Sequence, residues 1–138
     1  MNVKGILLGF ITLSFAGNAA WAVESVVFKR ADGKVVTAKV YAPNGVCRGA
    51  AILSHGAGGS ENGLAYMAEF LQSQGWLAIV PSHADSGLKA LRAKTPGLDL
   101  KTGLAELITD ADAYRSRFAD ISAARSWAEP RCKNTFTA

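Results

Sequence analysis

A glycine-rich run at residues 54–60 (SHGAGGS) carries the strongest chemical signal in the sequence. It follows an apolar stretch and precedes a segment with helical spacing. A turn between a strand and a helix leaves backbone N–H groups free, and such groups at a helix start bind negative charge. They could therefore stabilise an oxyanion, such as that of an ester under nucleophilic attack. The alternative is a glycine-rich turn that merely begins a helix.

A second run, residues 82–86 (SHADS), contains all three residue types of a Ser-His-Asp triad. A triad needs its nucleophile and its acid on opposite sides of one imidazole, and neighbours in a short loop rarely reach that arrangement. We therefore do not expect a triad within this run, and a plain loop role remains open for its residues. A nucleophilic role for Ser82 or Ser86 is the less favoured alternative.

A third group of polar residues falls in a segment with helical spacing, at residues 114–121 (YRSRFADI). Arg117 and Asp120 are three residues apart, and Ser116 and Asp120 are four apart, so each pair can interact along one helix face. The pattern predicts a solvated or salt-bridged helix surface.

The first half of the chain shows the element order of an α/β protein. Segments 24–30 and 35–42 are strand-like and flank an Asp-Gly pair, which predicts an antiparallel hairpin. Short apolar segments at 49–54 and 76–80 predict strands buried on both faces, as in a parallel sheet. Helical periodicity over 62–74 places a helix between them.

The second half is predicted to be mainly helical. Residues 82–103 are rich in Ser, Gly and basic residues and predict a surface excursion. A helical pattern covers 104–129, and Asp110 or Asp112 could divide it by capping a second helix. The tail, 130–138, shows no strand pattern and is predicted to be irregular.

This succession resembles the N-terminal part of α/β-hydrolases, most closely the group of dienelactone hydrolases, chlorophyllases and platelet-activating-factor acetylhydrolases. The resemblance rests on the hairpin, the buried strand before His-Gly-x-Gly-Gly, the next strand with Pro-Ser-His-x-Asp-Ser, and the helix with Tyr-Arg-x-Arg-x-x-Asp-Ile. It implies a partial α/β-hydrolase fold over residues 23–129, with an N-terminal hairpin, a parallel strand-helix-strand unit and a long C-terminal helix.

The same resemblance assigns roles to the glycine-rich turn. In the family this turn gives one N–H of the oxyanion hole, so the donor here would be Ala57 or Gly58. His55, Gly56 and Gly59 would shape the turn, since small residues allow a substrate carbonyl to approach. The resemblance also places the loop after the next strand at the rim of the active site, which makes Ser82, His83 and Asp85 candidates for a pocket rim. It implies hydrolysis of a carboxylic ester or lactone by a serine nucleophile, without a cofactor.

The chain departs from the family pattern at the nucleophile. The family places its serine in Gly-x-Ser-x-Gly after the next strand, followed by an acid and a histidine. No Gly-x-Ser-x-Gly occurs in these 138 residues. We therefore expect no residue of the family's triad in this chain, and a truncated polypeptide that is inactive alone. The missing strand would also leave the strand at 49–54 with an open edge that invites self-association.

The first 22 residues have the pattern of a signal peptide. Lys4 precedes an apolar stretch at 5–17, and Ala20-Trp21-Ala22 matches a signal-peptidase site. The alternative is an N-terminal anchor helix that is not cleaved. Export predicts a periplasmic or secreted protein with no membrane segment after cleavage.

Charge and cysteine content limit the other possibilities. The formal net charge is +4, without a run of basic residues, which argues against nucleic-acid binding. Cys47 and Cys132 could form a disulfide in an oxidising compartment or remain unpaired. A metal site would need more ligands than the two cysteines and two histidines offer, since these lie far apart in sequence.

Three functional hypotheses remain. The favoured one is an exported esterase-like polypeptide that is truncated and inactive alone. The second is a non-catalytic exported binding module that uses the anion-binding turn or the open sheet edge. The third and weakest is a small enzyme that uses His55 or His83 with a nearby serine or a metal.

Overall fold

The computed structural model describes residues 23–95, 97, 99–133 and 135–137. The predicted signal peptide, 1–22, lies outside the described residues. The strands and helices run in the order β1 (Val23–Lys29), β2 (Val35–Tyr41), β3 (Gly49–Ile52), α1 (Ala65–Ser73), β4 (Trp76–Pro81), α2 (Leu88–Lys94), α3 (Leu100–Thr109), α4 (Ala111–Ala128) and β5 (Thr135–Thr137).

The strands form one mixed sheet in the order β1-β2-β4-β3-β5. β1 and β2 pair antiparallel, as the Asp-Gly turn predicts, and β2 pairs antiparallel with β4. β3 and β4 are parallel neighbours joined through α1, which confirms the strand-helix-strand unit. The carboxyl ends of β3 and β4 therefore meet at one edge of the sheet, where the two polar runs begin.

Both faces of this sheet are covered, which explains the continuous apolar character of β3 and β4. One face packs against α4, through a cluster that includes Ile52, Ile79 and Ala124. The other face packs against α1, where Ala68 meets Leu53 and Val80. Alternate residues of the same strands point to opposite layers, so almost every position must be apolar.

The helical half differs from its prediction in two places. The segment 82–103 is not simply a surface excursion, because it contains α2 and the start of α3. The long helical pattern is divided at Asp110, whose carboxylate accepts hydrogen bonds from the backbone N–H groups of Asp112 and Ala113, each at 3.0 Å. Asp110 thus caps α4, which is one of the two capping alternatives expected from the sequence.

The prediction of an irregular tail was wrong for β5. Its backbone pairs parallel with β3, with Thr135 opposite Ala50 and Thr137 opposite Ile52. The edge of β3 is therefore covered in this structure, and β5 is the outermost strand on that side among the described residues. Polar and Thr-rich residues gave no apolar strand pattern there, and three residues are too few to show a period.

A disulfide joins Cys47 and Cys132, which settles the alternative left open by the sequence. Their Cα atoms are 5.7 Å apart, and the bridge spans 85 positions of sequence. It connects the segment before β3 with the segment between α4 and β5. The cross-link therefore holds α4 and the approach to β5 against the centre of the sheet.

Loss of this bridge should destabilise the fold by about 2–4 kcal/mol, because it restricts the unfolded chain over a long loop. Urea unfolding with and without reductant measures the change in unfolding free energy. The double variant Cys47→Ser/Cys132→Ser should unfold like the reduced protein and be insensitive to reductant. Equal midpoints for the oxidised and reduced proteins would contradict a stabilising role.

Candidate functional site

The polar site lies at the carboxyl ends of β3 and β4, where two loops are bonded together. His55 is buried, with Nε2 at 3.1 Å from the carbonyl oxygen of Ser82 and Nδ1 at 2.9 Å from that of Gly56. The backbone N–H of Leu88 donates to the carbonyl of Gly59 at 2.7 Å. His55 therefore shapes the turn as predicted from its position, by tying it to the loop that follows β4.

The two candidate oxyanion donors differ in this structure. The Gly58 N–H donates to the carbonyl of Ser86 at 2.8 Å and is therefore already used. The Ala57 N–H has no hydrogen-bond partner among the described residues. Of the two amides, that of Ala57 is the one available to an anion.

Gly58 has a glycine-specific conformation. Its φ is +73°, and a Cβ built there would lie 2.8 Å from Cδ2 of Leu91. At Gly59 the limit is space alone, because a Cβ built there would lie 3.0 Å from the carbonyl oxygen of Gly56. The turn thus needs glycine at 58 for both backbone conformation and space.

Arg117, on α4, clamps both loops. Its Nη1 donates to the hydroxyl of Ser54 at 3.0 Å and to the carbonyl oxygen of His55, and its Nη2 donates to the hydroxyl of Ser86 at 2.8 Å. Burial lowers the pKa of Arg117, although a guanidinium remains charged at any ordinary pH. This single side chain fixes the glycine-rich turn relative to the loop after β4.

His83 has only 1% of its surface exposed, and it lies among the residues that line a surface groove together with Ser82 and Gly87. Its Nε2 lies 3.0 Å from the hydroxyl of Ser54, and its Nδ1 lies 3.0 Å from Oδ2 of Asp120. Burial lowers the pKa of His83, which the hydrogen bond with Asp120 opposes. The imidazole is therefore neutral at pH 7, with Nδ1–H donating to Asp120 and Nε2 accepting from Ser54. Its φ of 47° is rare for a residue with a side chain.

Asp120 is the centre of a buried network, so this helix face is salt-bridged rather than solvated, which is one of the two alternatives that the sequence predicted. Only 3% of the residue is exposed, and its Oδ1 accepts from Nη1 of Arg30 at 3.0 Å. Arg30 also donates to the hydroxyl of Ser116 at 2.5 Å and forms an ion pair with Asp32. A charge this buried is tolerated only when it is paired and fully hydrogen-bonded, as here.

The other two rim candidates are less buried than His83. The Ser82 hydroxyl shares a hydrogen bond of 2.8 Å with the hydroxyl of Thr37. Asp85 has a half-exposed side chain that accepts from the hydroxyl of Ser116, and this hydrogen bond lowers its pKa. Ser82 lines one surface groove together with His83 and a second groove together with Asp85. The hydrogen bonds of the His83 imidazole among the described residues go to Ser54 and Asp120 instead.

Sequence reasoning missed Ser54, Arg30 and the inward orientation of Asp120. The available signal was position in the sheet. Ser54 follows β3 and His83 follows β4, and the carboxyl ends of these parallel neighbours lie side by side. The pairing of Arg30 with Asp120 joins residues 90 positions apart and has no local pattern.

A cavity of about 170 Å³ opens beside the turn. It is lined by Gly56, Ala57, Ser86, Leu107, Ala113, Tyr114 and Arg117. Within the described part of the chain, no three His, Cys, Asp or Glu side chains are placed to bind a metal ion together. Among the helices that the structure describes, none is long and apolar enough to cross a membrane.

Gly58→Ala should lower the unfolding free energy by about 1–3 kcal/mol, because alanine is strained at positive φ and its methyl group would meet Leu91. The matched control is Gly56→Ala in the same turn. Its φ is not in the left-handed region and a Cβ there has no neighbour within 4 Å. Urea unfolding of both variants checks the difference, and an equal loss in both would refute it.

The buried, neutral His83 should make stability depend on pH. Its folded pKa is lowered, so the unfolded chain binds more protons as pH falls below the ordinary value of about 6.5. The contribution is present above that pH and is lost below it, by at most about 1.4 kcal/mol per pH unit. Arg117 and His55 act in the same direction as burial, and Asp120 acts against it.

Unfolding midpoints measured from pH 7.5 to pH 5.5 test this dependence. His83→Asn removes the titrating group, and asparagine tolerates positive φ. The variant should be less stable at pH 7.5 but should lose less stability on acidification. A wild-type midpoint that stays constant over this range would count against a neutral buried imidazole.

No protein-family model matches the sequence, and no curated protein matches it. Solved structures do resemble the fold. A cold-adapted esterase from an Arctic intertidal metagenomic library has a TM-score of 0.57 and 19% identity over 86% of this chain and 53% of its own. A protein assigned as a dienelactone hydrolase from Klebsiella pneumoniae has a TM-score of 0.56 and 18% identity over 84% of this chain and 49% of its own.

A thermostable carboxyl esterase from Bacillus coagulans has a TM-score of 0.52 and 20% identity over 86% of this chain and 36% of its own. The chain thus spans about half of the first two structures and about a third of this one. At such low identity the likeness concerns the fold. The sheet order, the two helical layers and these likenesses together show that the chain has part of an α/β-hydrolase fold.

Proposed function

We propose that this chain is the part of an exported, esterase-like α/β-hydrolase that supplies an oxyanion-binding turn. The observation that carries the proposal is the free N–H of Ala57, held at the carboxyl end of β3 by the clamp of Arg117. Preorganised backbone donors of this kind stabilise the negative charge that develops on a carbonyl oxygen during acyl transfer. The reaction proposed is hydrolysis of a carboxylic ester or lactone.

The nucleophile, acid and base of the family's triad are proposed to come from sequence beyond Ala138. One donor can bind a carbonyl weakly, but it generates no nucleophile by itself. The cavity beside Ala57 is small, and in a complete enzyme the substrate pocket would gain further walls. By this family mechanism, the chain alone is inactive.

Export to the periplasm or to the exterior is part of the proposal. The support is the signal-peptide pattern of residues 1–22 together with the bridge between Cys47 and Cys132. Disulfides persist in oxidising compartments and are rare in the cytosol. The disulfide therefore fits the destination that the leader sequence predicts.

A non-catalytic binding module is the second candidate. Its support is a set of exposed apolar side chains on α3 and α4, comprising Leu100, Leu104, Ile108, Tyr114 and Phe118. Large exposed apolar patches often mark sites where a protein binds another polypeptide. The rest of a hydrolase domain or another protein could cover these side chains. Ester hydrolysis by the extended polypeptide would distinguish the hydrolase from the binding module.

The decisive experiment sequences the DNA downstream of the codon for Ala138 and searches each frame for a Gly-x-Ser-x-Gly coding stretch. The extended polypeptide should hydrolyse p-nitrophenyl esters, with a rate at least about a hundredfold above that of the 138-residue chain. In the extended enzyme, Ala57→Pro removes the donor and should lower kcat by about 10²–10³-fold, whereas Ser122→Ala, at an exposed position of α4, should have little effect.

Ala57 does not have a positive φ, and Gly56 has no Cβ to obstruct a following proline, which favours proline at position 57. Absence of any downstream elbow in all frames would refute the hydrolase proposal. Full activity of Ala57→Pro in the extended enzyme would refute the role assigned to the Ala57 N–H.

A further inference from the structure

Ser54, His83 and Asp120 are connected as the members of a Ser-His-Asp triad are. The Ser54 hydroxyl lies 3.0 Å from Nε2 of His83, and Nδ1 of the same imidazole lies 3.0 Å from Oδ2 of Asp120. The hydroxyl and the carboxylate are thus on opposite sides of the ring, which is the geometric condition for a general base. We propose that Ser54 is an acyl-accepting nucleophile in this chain, activated by His83 and oriented through Asp120.

The placement of the three residues suits their roles. Ser54 is only partly buried and follows β3 at the carboxyl edge of the parallel strands, where α/β proteins bind ligands. His83 and Asp120 are 1% and 3% exposed. The residue that would react is therefore less buried than the two residues that would orient it.

The imidazole has the protonation state that a base requires. Its Nδ1–H is committed to Asp120, whose other oxygen is held by Arg30. Nε2 therefore presents its lone pair to the Ser54 hydroxyl. Burial keeps the ring neutral at pH 7, so it can accept the proton of that hydroxyl.

Arg117 supplies positive charge at the reacting oxygen. Its Nη1 donates to the Ser54 hydroxyl at 3.0 Å, and the same guanidinium lines the cavity of about 170 Å³. Ser54 itself is not among the lining residues of this cavity, and its hydroxyl is connected to them through the hydrogen bond from Arg117. Ala57, whose N–H has no hydrogen-bond partner among the described residues, also lines the cavity, and the proposal assigns that N–H to the carbonyl oxygen. A cavity of this size accommodates a short acyl group, such as acetyl.

The proposed step is a balanced acyl transfer. Ser54 Oγ attacks the carbonyl carbon of a small activated ester while its proton passes to Nε2 of His83. The bond from the carbonyl carbon to the leaving oxygen then breaks, and the proton passes from His83 to that oxygen. An ester and Ser54 thereby give O-acyl-Ser54 and an alcohol or phenol, with no change of oxidation state.

This inference goes beyond the proposed function, because it concerns the 138-residue chain alone and requires no downstream nucleophile. The two can fail independently. A missing downstream elbow leaves the reactivity of Ser54 unaffected, and an inert Ser54 leaves the activity of an extended enzyme unaffected.

The test is to incubate the oxidised chain with p-nitrophenyl acetate, follow p-nitrophenol release and map the acetyl group by peptide mass spectrometry. We expect about one acetyl group per chain, attached to Ser54. Ser54→Ala should abolish the fast phase of release, and Asp120→Asn should slow it by at least about tenfold. Ser122→Ala, which alters an exposed serine on α4, is the matched control and should acetylate like the wild type.

The wild-type mapping decides the question even if a variant folds poorly. Acetyl groups only on lysines, or no adduct on Ser54 in folded, disulfide-bonded protein, would overturn the proposal. Release that is equally fast in the folded Ser54→Ala variant would overturn it as well.

Discussion

The buried carboxylate of Asp120 is the constraint on which the rest of the site depends. It holds Arg30 from the end of β1 and His83 from the loop after β4, both at 3.0 Å. A buried carboxylate without partners would cost several kcal/mol, so its partners must remain in place as long as the chain is folded. Since His83 in turn contacts Ser54, one residue of α4 fixes the ends of three separate strands relative to one another.

Arg117 adds a second point of attachment one helical turn away. The hydroxyl groups and the carbonyl that it contacts belong to both loops at the carboxyl edge of the sheet. The glycine-rich turn is therefore shaped by more than its own sequence. Gly58 permits the turn, His55 ties it to the next loop, and α4 determines where its free amide points.

The fold was largely predictable, because its signals are local. The Asp-Gly hairpin, the apolar runs of β3 and β4, and the Asp110 cap depend on neighbouring residues and on the period of the pattern. β5 was missed because it has only three residues and its pairing with Ala50–Ile52 depends on distant sequence. The disulfide was equally undecided, since only the packing of α4 shows that Cys47 and Cys132 meet.

The site was only half predictable for a related reason. The role of the glycine-rich turn follows from residue types in one short run. The burial of His83 and Asp120 does not, because polar residues on a helix or in a loop are usually solvated. The spacing along α4 predicted a contact between Arg117 and Asp120, but each of these side chains bonds to residues outside α4. Asp85 bonds to Ser116 and not to the imidazole of His83.

The cross-link has one more consequence, for the durability of the polypeptide. Ser54, His83, Arg117 and Asp120 all lie between Cys47 and Cys132 in the sequence, inside the covalent ring that the bridge closes. A protease that cuts the backbone once within this ring yields two pieces that remain tethered to each other. The residues of the network would then stay on one molecule after nicking, and only reduction would release the halves.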